Sequence, residues 1–188
     1  MKNSDSRKDA PSLLRGSRVV LPRGVAEGVS VFLEGGRVTR IAEGRGGAAG
    51  GGAGGPLDLD GLTLLPGFID VHIHGAVGVD TMEADADALH RVALFLARHG
   101  VTAWLPTLVP APDEDYARAV SAIGQLMREQ DERPAAARAV GVHYEGPFVN
   151  GAQCGALRTA YFRTFGGPAD VDTLPTVDVE AAVHMITV

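Results

Sequence analysis

A chain of 188 residues with 45% apolar and 21% charged side chains has the make-up of a globular protein, one domain or a small domain beside part of a larger one. Its net charge of −6, with no run of Lys or Arg, argues against a nucleic-acid partner, and the single cysteine, Cys154, excludes an internal disulfide and makes a reducing cytoplasm the expectation. No apolar segment follows Met1, so no signal peptide is expected; the stretch from Leu62 to Val79 is broken by Pro66, Asp70, His72 and His74 and is a poor membrane span.

Residues 1–16 read as a disordered tail, polar and mixed in charge through Ser12. Ser17–Leu21, Val29–Leu33 and Arg37–Ala42 read as short strands divided by Gly and Pro turns. Gly44–Gly55 holds eight glycines, three alanines and Arg45. It lacks the Lys-Ser/Thr ending of a phosphate-binding loop, so it reads as a flexible linker. Leu57–Leu65 resumes as a strand.

The decapeptide Pro66-Gly67-Phe68-Ile69-Asp70-Val71-His72-Ile73-His74-Gly75 follows. Side chains alternate along a strand, so His72 and His74 share a face with Phe68 and Asp70. Ile69, Val71 and Ile73 are expected to point the other way, against covering helices, in a strand buried on both faces. Two imidazoles on one side of a strand tip suit a divalent metal ion.

Beyond His74 the apolar period becomes helical. Leu89, Val92, Ala93, Leu96 and Ala97 form one stripe between Asp85 and His99, and Gly100 is placed to end the helix. His90 and His99 on this helix read as surface or packing residues. Val101–Val109 reads as a strand. Pro112-Asp113-Glu114-Asp115 opens a second helix, with acids at the positive end of its dipole. Tyr116, Ala119, Val120, Ile123 and Met127 form its apolar face. Strand, helix, strand, helix, strand is the pattern of a parallel sheet.

The third strand, Ala139-Val140-Gly141-Val142-His143-Tyr144-Glu145, ends at Gly146-Pro147. His143 and Glu145 share one face. A carboxylate at a strand end facing two imidazoles completes an N/O donor set for Zn²⁺ or a similar ion. His143 reads as a satisfied core histidine or a support behind the ligands. Asn150–Gly167 is loop-like. Arg158 and Arg163 in that loop read as solvated, with an anionic phosphate as the alternative partner.

The phrases PGFIDVHIHG, Gly100-Val101-Thr102-Ala103-Trp104-Leu105-Pro106-Thr107 and GVHYEGPF together resemble N-acetylglucosamine-6-phosphate deacetylase, of the amidohydrolase superfamily. The first phrase is shared across that superfamily; the other two narrow it to the deacetylases. The resemblance runs from about Arg18 to Val188. It implies an α/β fold: the N-terminal strands of a small β-sandwich, residues 17–65 with the Gly-rich loop 44–55, followed by the first half of a metal-dependent (β/α) barrel, residues 66–188. It further implies a cytoplasmic hydrolase that deacetylates a small-molecule phosphosugar, N-acetylglucosamine 6-phosphate, and that is a homodimer at full length.

By position in the motifs, the resemblance makes Glu145 the principal metal ligand. His72 and His74 serve a site that some members keep and others lose. The expected ion is Zn²⁺, with Fe, Mn or Co as alternatives. Ala156, Leu157 and His143 are the implied substrate-binding positions. Leu157 departs from the family, which usually has a histidine there that touches the sugar; Cys154 stands where a basic residue is common.

From Gly67 to Val188 there are 122 residues, against roughly 250 in a typical barrel. The family's later metal histidines and its acid–base aspartate have no counterpart here, so no catalytic residue is assigned within the chain. The chain is therefore expected to be incomplete and inactive alone. Val183–Val188 resembles the fourth barrel strand. The alternatives are another amidohydrolase, cleaving a cyclic amide or an N-acyl amino acid, and a non-catalytic remnant.

Overall fold

The computed structural model describes residues 11–45 and 54–188. The expected tail up to residue 10 and residues 46–53 of the expected linker lie outside the described residues. The chain divides into two compact units between Pro66 and Gly67, each described here by itself.

The first unit is a five-stranded sheet. β1 (Pro11–Leu21) pairs antiparallel with β2 (Gly24–Glu34), which pairs antiparallel with β3 (Arg37–Glu43). β4 (Gly54–Asp58) and β5 (Thr63–Leu64) both run parallel to β1. The β2–β3 turn falls on Gly35 and Gly36, both at positive φ, the backbone a two-residue hairpin demands. Val19, Val29 and Val31 form the core, with Leu14, Leu21, Ala26, Leu33 and Leu64 packed against it.

Two expectations need correction. β1 starts at Pro11, not Ser17, because its pairing with β2 reaches back to Leu13 and its pairing with β4 to Pro11. The expected strand Leu57–Leu65 is two strands, interrupted where Leu62 N–H turns back to Leu59 O and Gly61 adopts positive φ.

The second unit begins with β6 (Phe68–Ile73), followed by a small hairpin of β7 (Gly75–Ala76) and β8 (Val79–Asp80). Helix α1 (Ala86–Arg98) leads to β9 (Val101–Leu108), and α2 (Asp113–Glu129) leads to β10 (Arg138–Ala139) and β11 (Gly141–Glu145). A loop with three short 3₁₀ turns then reaches β12 (Val183–Thr187). β9 pairs parallel with β6 on one side and with β10 and β11 on the other, and β11 pairs parallel with β12. Two successive strand–helix–strand units thus share β9.

Both helices form where the apolar spacing places them. Asp85 caps α1 by accepting from Ala88 N–H at 2.7 Å. Leu89, Val92, Ala93 and Leu96 of α1, with Tyr116, Ala119, Val120 and Ile123 of α2, are buried with Trp104 and Leu108 of β9 in one core. Ala97 is exposed rather than part of the stripe. Among the described residues no helix is long and apolar enough to cross a membrane.

β6 departs most from expectation. Phe68, Ile69 and Val71 are all exposed, so this strand is not buried on both faces. Among the described residues it pairs with β9 alone. The third expected strand is also broken: Val140 separates β10 from β11, and β11 opens on Gly141 at φ 155°.

Candidate metal centre

The two strand ends named by sequence meet across β9. His72 lies near the end of β6, His74 directly follows that strand, and Glu145 is the last residue of β11. One nitrogen or oxygen from each lies within 4.8 Å of the others. His74 Nε2 is 3.1 Å from a Glu145 carboxylate oxygen. The His72 and His74 rings stand nearly perpendicular, 4.8 Å apart, and the His143 ring lies 5.1 Å from that of His72. The two histidines are exposed and Glu145 is half-buried.

Local chemistry holds each of the three residues in place. His72 N–H donates to Asp70 Oδ1 at 3.1 Å. The pairing of β6 with β9 is irregular between Asp70 and Ile73, and there Ile73 N–H donates to the Thr107 hydroxyl at 2.9 Å. His74 O accepts from Thr81 N–H at 2.9 Å, which folds the β7–β8 hairpin back onto the ligand strand. Gly75 makes that fold possible: at φ 130°, a Cβ there would lie 1.9 Å from Val79 O. After Glu145, Gly146 N–H donates to Thr187 O at 3.0 Å.

His143 is 2% exposed. Its Nδ1 is 3.2 Å from the Thr107 hydroxyl and its Nε2 is 2.9 Å from the Thr187 hydroxyl. Burial pushes its imidazolium below the usual range; nearby His72 adds to this and Glu145 opposes it. Thr107, fully buried, and Thr187 carry no role in the sequence reading. The available signal was Thr107 as the polar residue in the apolar run Trp104–Leu108, which is buried throughout; the structure sets it opposite His143.

Ala156 is exposed and Leu157 half-buried, in the loop after β11. Leu157 N–H donates to Cys154 O at 3.1 Å. Arg163 is committed within the protein: its guanidinium pairs with Asp113 and lies 5.9 Å over the Tyr116 ring. Arg158 lies 5.5 Å over the Tyr161 ring.

No family model matches the chain. It is 43% identical over 122 residues to the N-acetylglucosamine-6-phosphate deacetylase of Rattus norvegicus, covering 63% of this chain and 29% of the rat protein. It is 39% identical over 106 residues to the N-acetylgalactosamine-6-phosphate deacetylase of Escherichia coli O157:H7, covering 56% of this chain and 27% of that one. The N-acetyl-D-glucosamine-6-phosphate deacetylase of Mycobacterium smegmatis, solved in complex with N-acetyl-D-glucosamine-6-phosphate, superposes with TM-score 0.70 at 27% identity over 85% of this chain and 39% of that chain.

The chain is homologous to the N-terminal portion of the N-acetylglucosamine-6-phosphate deacetylases. It spans about three tenths of the length of the curated deacetylases it matches. Its fold is theirs: N-terminal strands of the small β-sandwich, then the first half of the amidohydrolase barrel.

Proposed function

We infer that this chain carries the first metal-ligating strands of a deacetylase acting on an N-acetylhexosamine 6-phosphate, with N-acetylglucosamine 6-phosphate as the substrate. The observation that carries this reading is the approach of His74 Nε2 to Glu145 Oε2 at 3.1 Å, with a His72 nitrogen inside the same 4.8 Å group. Two imidazoles and a carboxylate suit a borderline divalent ion, Zn²⁺ first and Fe, Mn or Co next.

In this reading Glu145, His72 and His74 hold the ion. A bound ion of this kind polarises an amide carbonyl and lowers the pKa of a bound water. The chain's own residues supply the frame. Asp70, Thr107 and Thr81 fix the backbone on either side of the two histidines, and Thr187 fixes the backbone after Glu145. Ala156 and Leu157 line the sugar side; Leu157 gives an apolar contact where the relatives would place an imidazole. No residue here is assigned the proton transfer, so the chain alone is expected to release no acetate.

Metal analysis of the purified chain after loading with Zn²⁺ tests the assignment. One ion per chain is expected for wild type, and none for Glu145→Gln. Equal stoichiometry in the two would remove Glu145 from the ligand set. Retention of the ion by a His72→Ala, His74→Ala double variant would remove the histidines.

A further inference from the structure

We propose that His143 is a positioning residue: it ties β9 to β12 through the hydroxyls of Thr107 and Thr187 and so holds His72, His74 and Glu145 as one unit. The proposal rests on the metal reading of those three residues and assigns His143 a role other than contact with the sugar.

The geometry is a chain of hydrogen bonds running across β6, β9, β11 and β12. Ile73 N–H, between the two histidines of β6, donates to the Thr107 hydroxyl of β9 at 2.9 Å. That hydroxyl meets His143 Nδ1 of β11 at 3.2 Å, and His143 Nε2 meets the Thr187 hydroxyl of β12 at 2.9 Å. Thr187 also grips β11 through its backbone, accepting from Gly146 N–H at 3.0 Å. Each ligand-bearing stretch is therefore held at a neighbouring backbone atom by a residue bonded to His143.

Three features separate this from a substrate contact. The His143 ring is 2% exposed, so a sugar has almost no surface to touch. Both ring nitrogens already have partners inside the protein. Those partners are hydroxyls, each able to donate or to accept, so either tautomer of the ring is satisfied. The ring also lies 5.1 Å from that of His72, which places it directly behind a proposed ligand.

The irregular pairing of β6 adds to the argument. Where the β6–β9 register slips between Asp70 and Ile73, Ile73 N–H is held by the Thr107 side chain. A buried amide left without an acceptor is costly. Thr107 therefore supports the ligand strand at the place where the strand ladder is irregular.

The test uses this 188-residue chain with Thr107→Val, which keeps the shape and removes the hydroxyl, and Thr107→Ser, which restores it. Co²⁺ affinity is read from the visible absorption of the bound ion, and the Ile73 amide is followed by hydrogen exchange without metal. Thr107→Val is expected to speed Ile73 exchange and weaken Co²⁺ binding about 10–100-fold, the scale seen when partners of metal ligands are removed. Thr107→Ser is expected to restore both. Thr187→Val, which takes the partner of the other ring nitrogen, is expected to weaken Co²⁺ in the same direction and is the fallback should Thr107→Val not fold.

Affinity within twofold of wild type in folded Thr107→Val or Thr187→Val would overturn the proposal. So would a Thr107→Ser variant as weak as Thr107→Val. If wild type binds no Co²⁺, the metal reading falls separately. The tie itself is then judged by Ile73 exchange and by the ¹⁵N shifts of the His143 ring, and unchanged values in Thr107→Val would remove it.

Discussion

His74 Nε2 and Glu145 Oε2 lie 3.1 Å apart although their strands, β6 and β11, never pair; β9 runs between them. Two polar atoms this close pair directly as they stand, and in the proposed reading they share a cation. Removing either should weaken the hold on the other's position. His74→Ala is expected to lower Zn²⁺ affinity by at least about tenfold, a loss already typical of weaker partners around metal ligands. Calorimetric titration of the chain would show it, and unchanged affinity would exclude His74 as a ligand.

Gly75 is where the chain leaves the candidate metal centre. A side chain there would collide with Val79 O and would have to adopt φ 130°. Gly75→Ala is expected to open the β7–β8 hairpin and free His74 O from Thr81 N–H. The cost is about 1–3 kcal/mol, that of strained backbone. Since Leu89, Val92, Trp104 and Ile123 are untouched, metal affinity should fall further than the urea midpoint.

Gly141 permits a closer approach still. A Cβ at this position would lie 1.9 Å from Val183 O and 2.6 Å from Val183 N. Gly141→Ala is therefore expected to push β12 away from β11 at its first residue pair. A loss of about 1–3 kcal/mol is expected, as for other overpacked sites. Denaturant unfolding measures it, and a change below about 0.5 kcal/mol would show that the pairing adjusts freely.

His90 sets a pH dependence. It is 8% exposed, and its Nε2 has no hydrogen-bond partner among the described residues. Burial pushes its imidazolium below the usual 6.5; Arg133 adds to this and Asp87 opposes it. The unfolded chain therefore takes up a proton that the folded chain refuses. The stability this residue contributes is present above about pH 6.5 and is lost as pH falls through that value towards the lower folded one. His143 acts with the same sign, so the informative quantity is the difference between wild type and His90→Leu. Urea midpoints from pH 8 to pH 5 should fall less steeply in the variant, and parallel curves would show that His90 does not titrate with folding.

Much of this arrangement follows from period alone. Alternation in a strand put His72 and His74 on one side and His143 and Glu145 on one side, and the structure brings those faces together. The helical stripes of α1 and α2 are apolar on one side for a reason visible in any window of their sequence. What escaped was tertiary. Phe68, Ile69 and Val71 look like a buried strand, yet their burial depends on neighbours that local composition does not reveal. Thr107 and Thr187 are ordinary β-branched strand residues until their register opposite His143 and Glu145 is known. Gly141 is required because Val183, distant in sequence, comes too close for a side chain.

The place of β9 between the ligand strands has a consequence for the order of folding. The β6–α1–β9 unit supplies two imidazoles and the β9–α2–β11 unit supplies the carboxylate. Neither unit alone can chelate with all three donors. The three donors come together only when both units have closed on the same central strand. A divalent ion that needs all three atoms would discriminate against every half-built intermediate. Its arrival would act as a ratchet, slowing unfolding far more than it speeds folding.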